Sequence, residues 1–328
     1  MENVIIDSCV FFHMLEANKI YQLEGKNSFD KYKNDMILKM ETLKHKIYDT
    51  MGDEFLNKYF NSTTKFIELI NTYNTYIRNK LGNVENEINS VKNSLVGEFK
   101  KKDGTIYKIN ASAIQKEIWR NQLIILEQTK EEYKKNIKEF DILSQEYKDN
   151  YQPYMCTMLY DRMINGEISF ILVKDSYNEI LNHIGEELDS INSFKYFNKN
   201  SVEMMINNCV ILRFDLEYTR DLIKQLSQEY RTRDDDKGSC MDGDKNSLKV
   251  YGDSRIMAEA SIAGYAFITL NEKDFITDKS KKLGNDFIRR HIQEVNRRNP
   301  KIAHDIMICS PQDYLAYLNF QKTKAVEC

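Results

Sequence analysis

Val4-Ile5-Ile6-Asp7-Ser8 reads as a short apolar strand that stops on a carboxylate. Three consecutive aliphatic residues suit a strand buried on both faces, as in a parallel sheet. The strand is expected from Asn3 to Asp7. Far downstream, Gly252-Asp253-Ser254-Arg255-Ile256-Met257-Ala258-Glu259-Ala260 reads as a helix starting at Asp253. Phe267-Ile268-Thr269-Leu270-Asn271-Glu272-Lys273-Asp274-Phe275 reads as a second strand running into Asn271 and Asp274. Each acid stands where a strand stops or a helix begins. Only a fold that gathers strand ends would make them one site.

Working outward, the rest of the chain beyond Pro153 alternates in the same way. Helix is expected at Met155–Asn165, ending at Gly166, a natural residue to follow a helix. Strand follows at Ile168–Val173, then helix from Ser176 to Ile184. Further helices are expected at Phe194–Asn208, Leu216–Tyr230, Asp253–Ala263, Phe287–Arg298 and Pro311–Leu318. Strands are expected at Ala266–Leu270 and Ile306–Cys309, and a polar loop at Arg233–Leu248. This order predicts an α/β fold, a parallel central sheet with helices on both faces. Ligands of such sheets bind beyond the carboxyl ends of the strands.

Between these parts the text changes. Met36, Met40, Leu43, Ile47 and Met51 recur at three- and four-residue steps. So do Phe66, Ile70, Tyr73, Ile77 and Leu81, then Val84, Ile88, Val91 and Leu95, and later Leu126, Tyr133, Ile137 and Phe140. These are amphipathic helices with Lys, Glu and Asn outward. No proline occurs before Pro153, which suits long helices. Lys102-Asp103-Gly104-Thr105 is a turn signal between short alternating runs, so a hairpin is expected near 98–110. The domains are therefore read as 1–24 with 152–328, carrying the sheet, and 25–151, an all-helical, coiled-coil-like insertion. Its apolar stripes serve either as its own core or as an arm that meets a partner or substrate.

Composition narrows the classes. The chain has 328 residues, of which 41% are apolar, enough for a core and too many for a disordered chain. No apolar run approaches the roughly 18 residues of a membrane span. The N-terminus lacks the layout of a secretory signal. Six scattered cysteines without a C-x-x-C pair read as reduced thiols in a cytoplasmic protein. Five dispersed histidines give no zinc-hydrolase pattern. A net charge of −3 excludes a general polyanion binder and leaves room for local basic patches.

Each acid has a plain structural alternative. Asp7 and Asp253 would serve as helix N-caps. Glu179 would close a capping box if Ser176 were the cap, and Asp175 is a neighbouring acid. Asn271 and Asp274 would shape a turn. Taken together, they put several oxygen donors at one sheet edge. Like charges gathered there raise one another's pKa, so a divalent cation is expected. Oxygen donors favour Mg²⁺ or Mn²⁺ over zinc.

These residues resemble the motif series of PIN-domain nucleases: Asp7-Ser8 after a buried strand, Glu179 between strand and helix, Gly252-Asp253 opening a helix, and Thr269 to Phe275. The similarity covers 1–20 and about 153–318. It implies a three-layer α/β/α sandwich with a parallel sheet and a Mg²⁺ or Mn²⁺ site. It implies that Asp7, Glu179 and Asp253 are metal ligands, with Asn271 or Asp274 in the fourth position, and that Asp7, Glu179, Asp253 and Asp274 carry the catalysis. The family includes toxin ribonucleases of VapC type, so the resemblance implies an endoribonuclease, of the kind that acts as a toxin or defence effector. The chain departs from the family at Cys9, where Asn is common, and in the length of the insertion.

Arg289, Arg290, Arg297 and Arg298 share one helix, preceded by Lys279, Lys281 and Lys282. Ser8, Lys237, Arg289 and Arg290 are the candidate substrate contacts, set against a solvated basic face. Two other functions stay open: a DNA or structure-specific nuclease, and a non-catalytic protein acting through the insertion. The partners expected are RNA, a protein partner or inhibitor at the insertion, and a second copy of the chain; no membrane is expected.

Overall fold

The computed structural model describes residues 1–61, 65–100, 106–108, 111–184, 199–230, 246–271 and 287–327. In chain order the elements begin β1 (Glu2–Ile6), α1 (Ser8–Glu24), α2 (Lys26–Tyr59) and α3 (Phe66–Val96). A hairpin, β2 (Glu98–Lys100) and β3 (Ile106–Lys108), precedes the long α4 (Ala113–Ile164). Then come β4 (Ile168–Val173), α5 (Lys174–Asn182), α6 (Lys199–Ile206), β5 (Cys209–Leu212) and α7 (Glu217–Tyr230). The chain closes with α8 (Asn246–Ala263), β6 (Ala266–Ile268), α9 (Phe287–Arg298), β7 (Ile308–Cys309) and α10 (Pro311–Glu327).

The protein is mixed α/β. Its five-stranded sheet has the order β5-β4-β1-β6-β7, and every pair is parallel. β1 is central: Val4 lies opposite Phe170 on one side and Ala266 on the other. Alternation along the strands sends side chains to two cores. Val4, Ile6, Phe170, Leu172 and Ile268 pack with Phe11 and Met14 of α1 and Tyr160 of α4. Ile5, Ile171, Val173, Phe267 and Ile308 pack with Leu226 of α7, Met257 of α8 and Ile292 of α9. Both faces of the sheet are thus covered by helices. Each such aliphatic or aromatic burial contributes about 1.5–3 kcal/mol.

The chain first builds the sheet to one side of β1, through β4 and β5. It then crosses back to build β6 and β7 on the other side. The reversal of strand order falls at β1, and ligands of open parallel sheets bind beyond the carboxyl ends of the strands at such a point.

Several local expectations are corrected. β5 is an additional strand: Cys209-Val210-Ile211-Leu212 is short and lies at the sheet edge with Val210 exposed, so it lacks a buried run's signature. The helix expected to start at Asp253 starts at Asn246, so Asp253 is an interior residue of α8 and not its cap. Gly252 therefore lies within the helix rather than in a turn. α4 continues through Pro153, which has no N–H to offer the Asp149 carbonyl. The expected helix from Phe194 is described only from Lys199. Most of the polar loop at Arg233–Leu248 lies outside the described residues.

Two compact units divide the chain. One comprises Met1–Met36 and Gln152–Cys328, the other Ile37–Tyr151. The start of α2 belongs to the first because Phe29 is buried in the sheet's core. Within the second, the stripes Met40, Leu43, Ile47 and Met51 of α2, Ile70, Tyr73 and Ile77 of α3, and Ile137 and Phe140 of α4 are buried. β2 and β3 pair antiparallel, Glu98 opposite Lys108. Among the described residues no helix is long and apolar enough to cross a membrane.

Gly264 ends α8 with φ +75°, and a β-carbon there would come within 2.8 Å of the His304 ring. Gly264→Ala is expected to lower stability by more than about 1 kcal/mol, because left-handed backbone and lost space add. Urea midpoints of the two proteins check this.

Candidate functional site

Asp7 follows directly on β1, and its backbone N–H extends the pairing to β6 by donating to the Ile268 carbonyl at 3.0 Å. This places its carboxylate at the carboxyl end of the central strand. Only 5% of the residue is exposed. Oδ1 accepts from the Ser8 N–H at 2.8 Å, so Asp7 does cap α1. Oδ2 faces away from that cap. It accepts from the Thr269 hydroxyl at 2.8 Å and from the Cys9 thiol at 3.0 Å. Burial raises the Asp7 pKa above its usual value, and the hydrogen bonds from Cys9, Thr269 and Ser8 pull it down only in part. A nearby cation would favour the ionised form.

Cys9 occupies the position where the resemblance led us to look for Asn. Burial, and then the neighbouring Asp7 charge, push its thiol pKa well up. It therefore stays protonated and serves as a donor to Asp7, while its sulfur accepts from the Leu270 N–H at 3.3 Å. Thr269, at the end of β6, also accepts from the Asn271 N–H at 2.9 Å. One buried hydroxyl thus ties Asp7 to the turn that carries Asn271. Thr269→Val keeps the shape but removes both bonds. It is expected to cost about 1–3 kcal/mol, with Thr269→Ser restoring most of it, as chemical denaturation will show.

Glu179 lies on α5 and is joined to this group through Ser8, whose hydroxyl donates to Glu179 Oε2 at 2.9 Å. The capping-box alternative does not apply, because α5 begins at Lys174 with Val173 as its cap residue. Ser8, expected on the substrate side, is buried and engaged with Glu179. Asp253 is half-buried on α8. Among the described residues, no three His, Cys, Asp or Glu side chains assemble as a cation cage, so Asp253 is not gathered with Asp7 and Glu179 into one. Asp274, Lys237, Lys279, Lys281 and Lys282 lie outside the described residues.

Of the basic candidates, Arg289 is half-buried and donates to the Ile308 carbonyl of β7 at 3.5 Å, while Arg290 is exposed. Arg297 pairs with Asp305 at 2.9 Å and Arg298 with Glu294. Arg289 thus reaches the sheet, while Arg297 and Arg298 pair with acids.

One buried acid was not singled out from the sequence. Glu259 of α8 is 1% exposed, and its Oε2 accepts from the Asp175 N–H at 3.0 Å. Burial raises its pKa to about 7. Its signal was present: Ile256-Met257-Ala258-Glu259-Ala260 is apolar around the whole helix, and such a helix is buried on every side.

The donors gathered at the carboxyl end of β1 are carboxylate oxygens, and this suits Mg²⁺ or Mn²⁺. Mg²⁺ keeps several waters and is commonly held by one or two carboxylates. Here two carboxylates, Asp7 and Glu179, are linked through Ser8, and among the described residues no third acid joins them. No protein-family model, curated protein or solved structure matches the chain.

Proposed function

We propose that this chain is a Mg²⁺- or Mn²⁺-dependent phosphodiester hydrolase, an endoribonuclease on a PIN-like three-layer α/β/α sandwich interrupted by a helical insertion. The observation that carries this reading is Asp7. It is a buried carboxylate at the end of the central strand, oriented by Thr269 and Cys9 and linked through Ser8 to a second carboxylate on another element. A helix cap alone needs none of the bonds to Oδ2. Asp7 and Glu179 would hold the cation, with Asn271 or Asp274 as a further oxygen donor. The cation, when bound, activates a water and stabilises charge on the departing oxygen. Arg289, near the end of β7, and Arg290 beside it would meet the phosphate backbone, with Lys237 as a further contact. In this reading the protein is cytoplasmic, and the insertion selects the RNA or receives an inhibitor or a second copy.

Digestion of a mixed RNA pool, single-stranded DNA and branched DNA in Mn²⁺ tests the reading. RNA is expected to be cut and the DNAs spared. Cutting of DNA alone would transfer the activity to a DNA or structure-specific nuclease. A second reading, a non-catalytic protein acting through the insertion, is favoured by the lack of a three-carboxylate cage among the described residues. Absence of Mn²⁺ binding by calorimetry on folded protein would select it.

A further inference from the structure

The contact between α5 and α8 has a feature that helix packing does not require. Two residues of α8, Arg255 and Glu259, stand four positions apart and so share a face. Both engage Asp175, in the first turn of α5. Glu259 Oε2 takes the Asp175 backbone N–H at 3.0 Å, and Arg255 Nε lies 2.7 Å from Asp175 Oδ2. Asp175 is thus held by main chain and side chain at once. The cap residue of α5, Val173, offers no side-chain bond to the helix start. Glu259 supplies from a different helix what a Ser or Asp cap would supply locally.

This arrangement is costly by itself. A carboxylate that is 1% exposed gives up its hydration, and an apolar residue would pack the same space without that penalty. Burial accordingly raises its pKa, only partly relieved by the Asp175 N–H. Glu179 lies four residues after Asp175, one turn along the same face of α5. A shift of the first turn therefore moves Glu179 with it.

We infer that Glu259, aided by Arg255, is a positioning residue that fixes α5 against α8 and thereby sets where Glu179 stands relative to Asp7. Its functional meaning rests on the nuclease reading; its geometry does not. The Ser8 hydroxyl tethers Glu179 at its tip, and this clamp holds its helix one turn below.

The test compares wild type, Glu259→Ala, Glu259→Gln and Arg255→Ala as full-length proteins. Amide hydrogen exchange is followed without metal, and Mn²⁺ affinity is measured by calorimetry. In Glu259→Ala, exchange across Asp175–Glu179 is expected to speed up about tenfold or more, with α1 and α10 unchanged, and Mn²⁺ affinity to fall roughly 10–100-fold. Glu259→Gln keeps an oxygen for the Asp175 N–H and is expected to restore both. Should Glu259→Ala fail to fold, Arg255→Ala is expected to show the same changes in smaller measure. Unchanged exchange in α5, or an equal rise in every helix that Gln does not reverse, overturns the proposal. Wild-type protein that binds no Mn²⁺ would sink the nuclease reading, and the exchange data would still decide the clamp.

Discussion

Asp7→Asn is expected to reduce Mn²⁺-dependent RNA cleavage by at least about 10²–10³-fold, the scale seen when one preorganised electrostatic contact is lost. The fold is expected to survive. Asn has nearly the same volume and is as good a helix cap as Asp, so the Ser8 N–H keeps its acceptor. The amide can also meet the Thr269 hydroxyl, which is able to accept in place of donating. Asp7 carries a raised pKa because it is buried, so ionised Asp7 weakens the metal-free fold and its neutral replacement does not. Melting temperature near pH 7.5 should therefore hold or rise. A residue that were only a cap would lose no activity on this exchange. Cleavage assays alongside circular dichroism separate the two outcomes.

The second large effect belongs to Glu259. Its pKa rises from 4.5 to about 7 on folding, so the folded state holds this proton more tightly than the unfolded chain. Where the native state binds more protons, stability falls as pH rises. The stabilising contribution is complete below about pH 4.5 and is lost as pH climbs through about 7. The shift corresponds to a change of about 3 kcal/mol at most. Glu259→Gln has nothing to titrate. Its stability curve between about pH 5 and 8 should be flatter than wild type, and at pH 8 the variant should be the more stable protein. Urea unfolding in metal-free buffer across that range measures this directly. Parallel curves for the two proteins would show that Glu259 does not titrate in the window.

The sheet was readable because its central strands are short aliphatic runs. Val4 to Ile6 and Ile168 to Val173 have no helical period, and burial on both faces leaves Ser169 as the single polar residue among them. β5 escaped because an exposed edge strand of four residues carries little pattern. The stripes of the insertion were legible at three- and four-residue steps, and the pairing of β2 with β3 was signalled in the sequence by Asp103-Gly104 between two short alternating runs.

The site was legible in its residues more than in their geometry. Asp7 stood out because a carboxylate after three buried aliphatics demands partners. The identity of those partners was not readable. Thr269 lies 262 positions from Asp7, and only the β1–β6 pairing brings them together. Ser8 looked like a substrate contact in the sequence and is the bridge to Glu179 in the fold. Gly252-Asp253 resembled a helix start, yet α8 begins seven residues earlier, since a single glycine inside a helix costs only about 1 kcal/mol. Glu259 was passed over because an acid on a helix ordinarily faces solvent.

The most direct test is cleavage of an end-labelled mixed RNA pool by wild type, Asp7→Asn and Glu179→Gln, in Mn²⁺ and in EDTA. Discrete cuts by wild type in Mn²⁺, absent in EDTA and absent from both folded variants, are the predicted result. Equal cutting by all three proteins, or intact RNA with folded wild type in Mn²⁺, would contradict the account.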